Sequence, residues 1–283
     1  MSITNSPIRI SRSFKTGGTL LTDNNSWNRD GSHAARVFSA NGGMWYAEGG
    51  NDDIHVTHIT GGDEALHVNC AVLNPKLVEG AQRDLGIDFS KRVANKEDYR
   101  LIRIATPTLW DSLAVTILRH AVQAGKAQHS IKKLREHMGE KVTHDGGTYY
   151  LMPTPQRMLD ATDAQLNRLG LFFFKSALKA AAAWCLNTDI DLQTVSHKEL
   201  FHDLLMIPRV GPWTAGVVVC DVTNDFSYYP LDDRTIFSRV RELSANDWPA
   251  DRHRFADEWR RQAGDNLSSY TTMVLANWGD QAA

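Results

Sequence analysis

The chain has 283 residues, enough for two ordinary domains, and its 42% hydrophobic and 23% charged content is that of a water-soluble globular protein. A formal net charge of -2 argues against a protein that coats nucleic acid by bulk charge, though not against one that grips a short stretch with backbone amides. No apolar run reaches the roughly eighteen residues of a membrane span. The first residues lack a secretory core, and Cys70, Cys185 and Cys220 are spaced as neither a disulfide framework nor a metal or iron–sulfur set, so a reduced, cytoplasmic protein without a membrane partner is expected.

The first hundred residues read as strands and turns. Arg36–Ala40 and Met44–Glu48 flank Asn41-Gly-Gly43, a hairpin signal, and Ile54–Ile59 and Glu64–Cys70 alternate around Gly61-Gly-Asp63. A helix is predicted from Pro75 to Leu85, and the polar segment Asp88–Tyr99 reads as a connection between domains. From Thr106 the period becomes helical, with an apolar stripe at Trp110, Leu113, Ile117 and Val122. Lys132–Arg135 starts a polar helical face. Pro153-Thr-Pro155 interrupts the chain, which restarts at Thr162, the N-cap of a helix to Leu169. Phe172-Phe-Phe174 reads as core. Further helices are predicted over Lys175–Leu186, His197–Met206 and Pro212–Val222, and from Asp233, Arg252 and Leu267. His55, His58 and His67 match no metal-ligand spacing and read as exposed strand histidines.

The stretch from Leu205 to Val218 carries the clearest functional signal. A helix stops, a short turn containing Gly211 follows, and Pro212 opens a second helix. Such a turn aims unpaired N–H groups and the positive end of a helix at one point, a seat for a DNA phosphate that needs no basic side chain. Proline and glycine also make ordinary packing corners, so the pattern alone leaves two readings open.

Ile207-Pro-Arg-Val-Gly211 resembles the helix-hairpin-helix of the endonuclease-III-type DNA glycosylase superfamily, where Leu-Pro-Gly-(Val/Ile)-Gly precedes a helix. Arg209 stands in place of the first hairpin glycine, which adds strain if that position needs a positive φ, or else adds a phosphate contact. The resemblance implies that Arg209, Val210, Gly211, Trp213 and Thr214 meet DNA. Gly211 and its neighbours would hold a phosphate, directly or through a bound monovalent cation, with no cofactor required. About twenty residues on, Asp233-Arg-Thr-Ile236 falls at the spacing of the superfamily's catalytic aspartate. This implies Asp233 as the catalytic carboxylate at a helix N-terminus, with Asp232 as an N-cap-like neighbour. A fixed anion in a water-poor pocket stabilises the charge that builds on a sugar as its glycosidic bond breaks, and can orient the attacking water. Helix capping is the plainer use of an Asp-Asp pair. Trp213 occupies the position of the lyase members' Schiff-base lysine, so a monofunctional enzyme that leaves an abasic site is expected.

The chain is most similar to the bacterial alkylbase (3-methyladenine type II) DNA glycosylases, through His67-Val-Asn69, Pro153-Thr-Pro-Gln-Arg157, Leu169-Gly170, Trp213-Thr-Ala215, Asp232-Asp233 and Ser269-Tyr270. The resemblance implies an α+β fold: an N-terminal antiparallel sheet domain over 1–103 with one or two helices, then a helical catalytic domain over 104–283. It implies a monomer acting on double-stranded DNA. The departures lie in the base pocket, which Trp213, Asp232 and Arg234 would also line. Val217 replaces an aromatic and Ala276 a tryptophan, with Trp278 two residues later. Aromatic faces attract cationic bases. The expected substrate is therefore a bulkier or less cationic base, such as a glycosylated hydroxymethylcytosine of phage DNA whose removal would serve defence. Excision of alkylpurines in repair is the alternative; a non-catalytic damage sensor is a second. The family's gap-filling segment reads Ile117-Leu-Arg-His-Ala-Val-Gln123. Its wedge position falls on Ala121, too small to fill a vacated stack, which leaves Arg119 or His120.

Overall fold

The computed structural model describes residues 33–40, 42–49, 53–62, 75–88 and 101–275, with short strands at 2–4, 8–9, 12–15, 18–19, 28–30, 65–66 and 70–72. His67, Ala276, Trp278 and nearly all of the expected interdomain connection lie outside the described residues.

His33–Ala40 and Gly43–Gly49 form the antiparallel hairpin expected at Asn41-Gly-Gly43, and Gly42 makes its turn at φ 71°. The pair lies within a five-stranded antiparallel sheet in the order Arg12–Lys15, Asp53–Gly61, Gly43–Gly49, His33–Ala40, Asn28–Asp30. Strand alternation buries Trp45, Ala47 and Val56 completely. Both edges of Asp53–Gly61 are paired within this sheet. Ala65–Leu66 instead joins Ile8–Arg9, and Cys70–Val72 lies between Ser2–Thr4 and Leu101–Ile104. The ring of His58 packs 4.8 Å from Trp45.

The helices follow their caps. α1 (Pro75–Leu85) opens on its proline, and α2 (Leu109–Arg119) on Thr108, whose hydroxyl accepts from the Asp111 N–H. After α3 (Ala124–Met138) comes a hairpin, Lys141–His144 with Gly147–Tyr150, that the sequence reading did not include. Asp145 and Gly146 turn it at φ 46° and 72°, and Tyr149 leans on Tyr46 of the sheet at 5.6 Å between rings. The chain becomes helical again at Pro155, earlier than Thr162, because Thr154 caps α4 (Pro155–Asp160). Thr162 and Gln165 form a capping box for α5 (Asp163–Arg168). α6 (Lys175–Leu186), α7 (His197–Leu205), α8 (Pro212–Thr223), α9 (Arg234–Leu243), α10 (Arg252–Ala263) and α11 (Leu267–Leu275) complete the helical part. Among the described residues no helix is long and apolar enough to cross a membrane.

Two apolar cores organise these helices. The first joins α2–α8 and is built around residues such as Leu113, Leu166, Leu178, Leu204 and Val218. The second joins α9, α10 and α11 through Ile236, Phe255, Trp259 and Met273. α1 belongs with it: Ala81 and Leu85 are core members, and the Tyr270 hydroxyl donates to Asp84 at 3.2 Å. The two cores meet where α8 passes the loop 226–233.

Candidate active site

α7 ends at Leu205 with Met206 as its C-cap, and the turn Ile207–Gly211 carries the chain into α8, with the Val210 N–H bonded to the Ile207 carbonyl at 3.0 Å. Arg209 does adopt a positive φ, 71°, so an arginine holds a conformation that glycine would enter freely. Its side chain is exposed. Gly211 is the N-cap of α8 at φ -100°, and a Cβ there would meet nothing within 4 Å. No side chain caps this helix end, which leaves its first N–H groups without a side-chain partner there. Val210 is a core residue, so only its backbone is available to a strand. Thr214 is 3% exposed, and it lines a cavity wall.

The carboxylate sits across from this turn. Asp233, not Asp232, is the N-cap of α9: its Oδ1 accepts from the Thr235 N–H at 2.7 Å. Asp232 lies outside the helix and faces His253 at 3.6 Å. The two remaining donors to Asp233 come from side chains. The indole Nε1 of Trp213 donates to Oδ2 at 2.9 Å, and the Tyr229 hydroxyl donates to Oδ1 at 3.4 Å. Burial pushes the Tyr229 hydroxyl far above the ordinary tyrosine range, and the neighbouring Asp233 carboxylate pushes the same way. Tyr229 therefore stays a neutral donor. Sequence reasoning missed this contact, because an aromatic four residues before an aspartate has no motif value by itself.

The loop that carries Tyr229 and Asp233 is pressed onto α8. A Cβ added at Gly216 would stand 2.3 Å from the Tyr228 carbonyl oxygen, so only glycine allows this approach. Asp225 caps the turn Phe226–Tyr228 and accepts from His197 of α7 at 2.8 Å. Arg239 donates to the Leu275 carbonyl at 2.7 Å and ties α9 to the end of α11. Val217 is 2% exposed, one turn beyond Trp213, and belongs to neither core. Arg234 is exposed at the start of α9.

The end of α2 reaches the same face. The exposed His120 ring lies 5.2 Å from that of Trp213. Arg119 faces the carboxylate of Asp221 on α8 at 3.8 Å. Ala121 is exposed at φ 57°. Of Phe172-Phe-Phe174, expected as core, only Phe174 packs against the first core. Gly170, at φ 78°, turns the chain out of α5, Leu171 takes the core position, and Phe172 and Phe173 project at 57% and 84% exposure. Lys175 pairs with Asp163, and Lys179 donates to the Ala161 carbonyl at 2.7 Å.

No protein-family model matches the chain. Its sequence is 23% identical over 150 residues to the DNA-3-methyladenine glycosylase of Bacillus subtilis (strain 168), a match that takes in 51% of this chain and 49% of that protein. The chain thus spans about half the length of the curated relative it matches. Solved structures align over nearly the whole chain. The 3-methyladenine DNA glycosylase from Archaeoglobus fulgidus aligns at TM-score 0.64 and 14% identity, covering 93% of this chain and 97% of its own. MBOgg1 in complex with a low affinity DNA ligand aligns at 0.65 and 16%, covering 97% of each. The apo 8-oxoguanine glycosylase/lyase of Clostridium acetobutylicum aligns at 0.63 and 16%, covering 97% of this chain and 99% of its own. The chain therefore has the fold of the helix-hairpin-helix DNA glycosylases. Within that class its sequence likeness lies with an alkylbase enzyme.

Proposed function

We propose that this chain is a monofunctional DNA glycosylase, in which Asp233 drives hydrolysis of the bond between a flipped base and its deoxyribose. One observation carries the reading: an aspartate held by Trp213, Tyr229 and Thr235 stands at the junction of two cores, next to a helix-hairpin-helix turn. Heterolysis sends the electron pair of the C1′–N bond to the base, and positive charge spreads over C1′ and the ring oxygen. The Asp233 carboxylate offsets that charge. Water then attacks C1′ and gives up a proton that reaches the departing base by way of the Asp233 carboxylate, and an abasic site remains. The hairpin amides at Gly211 hold a phosphate of the same strand.

Trp213 supports the monofunctional assignment, since its indole bonds the carboxylate from the position where a lyase would present an amine. Val217 supports a base that is less cationic than an alkylpurine, because a valine there offers no aromatic face. On that reading the substrate is a bulky modified base, such as a glycosylated hydroxymethylcytosine of phage DNA. The name of the Bacillus subtilis relative favours a second reading, 3-methyladenine removal.

The test incubates the protein with genomic DNAs of different modification chemistry and identifies freed bases by mass spectrometry, beside an Asp233→Asn control. Release by the wild type alone supports the reaction. Binding of DNA with no release from any sample rejects it in favour of a damage sensor, and release confined to alkylpurines selects the second reading.

A further inference from the structure

The cations of this chain are unevenly distributed. No aspartate or glutamate occurs between Asp111 and Glu136, while the same stretch holds Arg119, Lys126, Lys132, Lys133 and Arg135. Soluble surfaces ordinarily intersperse both signs, and the whole chain carries a formal net charge of -2. Most of the local excess falls on α3, which none of the preceding chemistry uses.

Helical periodicity sorts α3 into faces. Ala127, Ser130, Ile131 and Leu134 are buried, and Ile131 and Leu134 belong to the first core. Lys126, His129, Lys133 and His137 recur three or four residues apart, which lines them along one side of the helix beside the buried face. The acid of the helix, Glu136, faces Lys132 at 3.8 Å. Among the described residues the side chains of Lys126, His129 and Lys133 have no ion-pair or hydrogen-bond partner. The His137 ring contacts the Lys133 carbonyl through Nδ1 at 3.0 Å, which leaves Nε2 to a partner outside the helix.

This stripe starts beside the hairpin. Lys126 and Arg209 line the same cavity of about 470 Å³, together with Thr214 of α8. Arg209 stands there at φ 71°, a backbone conformation that is strained for an arginine. From Lys126 to His137 the stripe runs about 16 Å along the helix axis. Duplex DNA presents a phosphate charge every ~1.7 Å of its axis, so flexible lysines over that length meet phosphates in any register. A row of cations without carboxylates fits such a backbone and carries no means of reading a base.

We propose that α3 is a second DNA-binding element, whose stripe of Lys126, His129, Lys133 and His137 holds duplex phosphates beyond those gripped by the hairpin, whatever the base sequence. This rests on the glycosylase reading given above.

The test follows binding of a labelled, unmodified duplex by fluorescence anisotropy as salt rises from about 50 to about 200 mM. Each lysine on a phosphate adds about one to the slope of log affinity against log salt. The double variant Lys126→Gln, Lys133→Gln is expected to lower that slope by about two. The same rise in salt then weakens the wild type about tenfold more than the variant. Lys126→Gln alone, at an exposed position, should lower the slope by about one. A control, Lys198→Gln with Arg260→Gln, removes two exposed charges elsewhere and should leave the slope unchanged. Far-UV circular dichroism checks that the variants fold. An unaltered slope in the Lys126 and Lys133 variants, an equal fall in the control, or a loss confined to one base sequence each overturns the stripe. Base release from the genomic DNA panel reports on the reaction separately. Release by the wild type combined with any of these outcomes removes α3 from the interface and leaves the glycosylase standing. The expected slopes without any release keep the stripe and reject the reaction.

Discussion

The indole of Trp213, in the first turn of α8, donates a 2.9 Å hydrogen bond to Oδ2 of Asp233, the N-cap of α9. It joins the first residues of two helices that belong to different cores. Together with the Thr235 N–H, the bond fixes the orientation of the carboxylate.

Trp213→Phe keeps an aromatic ring and removes the donor. Loss of a hydrogen bond to a charged group is expected to slow base release by about ten- to a hundredfold. Single-turnover release with enzyme in excess measures this. DNA affinity should change far less, since the indole nitrogen is spent on the protein. An unchanged rate in the variant would show that the carboxylate does not need this anchor.

Tyr229→Phe removes the second side-chain donor. The 3.4 Å contact is longer, and the expected slowing is smaller, about three- to tenfold. Because the hydroxyl stays protonated far above the ordinary tyrosine range, no alkaline limb of the wild-type pH–rate profile should arise from it. An alkaline limb in the wild type that disappears in Tyr229→Phe would contradict this placement.

Gly216→Ala tests the contact between α8 and the loop. The new methyl would meet a backbone oxygen at 2.3 Å, and backbone cannot yield as a flexible side chain does. The variant should be destabilised by about 1–3 kcal/mol, read as a lower urea midpoint. It should also lose activity beyond what stability explains, because the shifted loop carries Tyr229 and Asp233. Full activity in a destabilised variant would separate the two effects.

Asp225 gives the protein an acid-sensitive anchor. Burial opposes its charge, but hydrogen bonds from His197 and from the Ser227 hydroxyl and N–H outweigh burial and hold the carboxyl below its ordinary range. A folded value below the unfolded one stabilises the native chain wherever the group is ionised. That contribution is complete above the unfolded value, near about 4, and disappears as pH falls through the lower folded value. Asp225→Asn should therefore be less stable than wild type by about 1–3 kcal/mol at neutral pH. Urea titrations across acid pH should show the gap closing; a constant gap would refute the linkage.

Much of this arrangement was legible in the chain. Pro212 after Gly211 marked α8, and Asp233 marked the start of α9, because both signals are local. The rest depended on contacts distant in sequence. Nothing within a few residues distinguishes Asp232 from Asp233 as the cap; the choice follows from which carboxylate Trp213 and Tyr229 can reach. Phe172 and Phe173 are as apolar as any core pair, and their exposure follows from the turn at Gly170, which gives the core position to Leu171. The hairpin over 141–150 was signalled by Asp145-Gly146, but its strands are short, and its packing partner Tyr46 lies a hundred residues away.

The seam between the two cores has a consequence for how the protein fails on heating. The Asp233 carboxylate is carried by one packed unit and the indole that holds it by the other, so a small loosening between the units misaligns them while each remains folded. Inactivation should precede the calorimetric transition, and a ligand that spans the seam, such as an abasic duplex, should narrow the interval between the two.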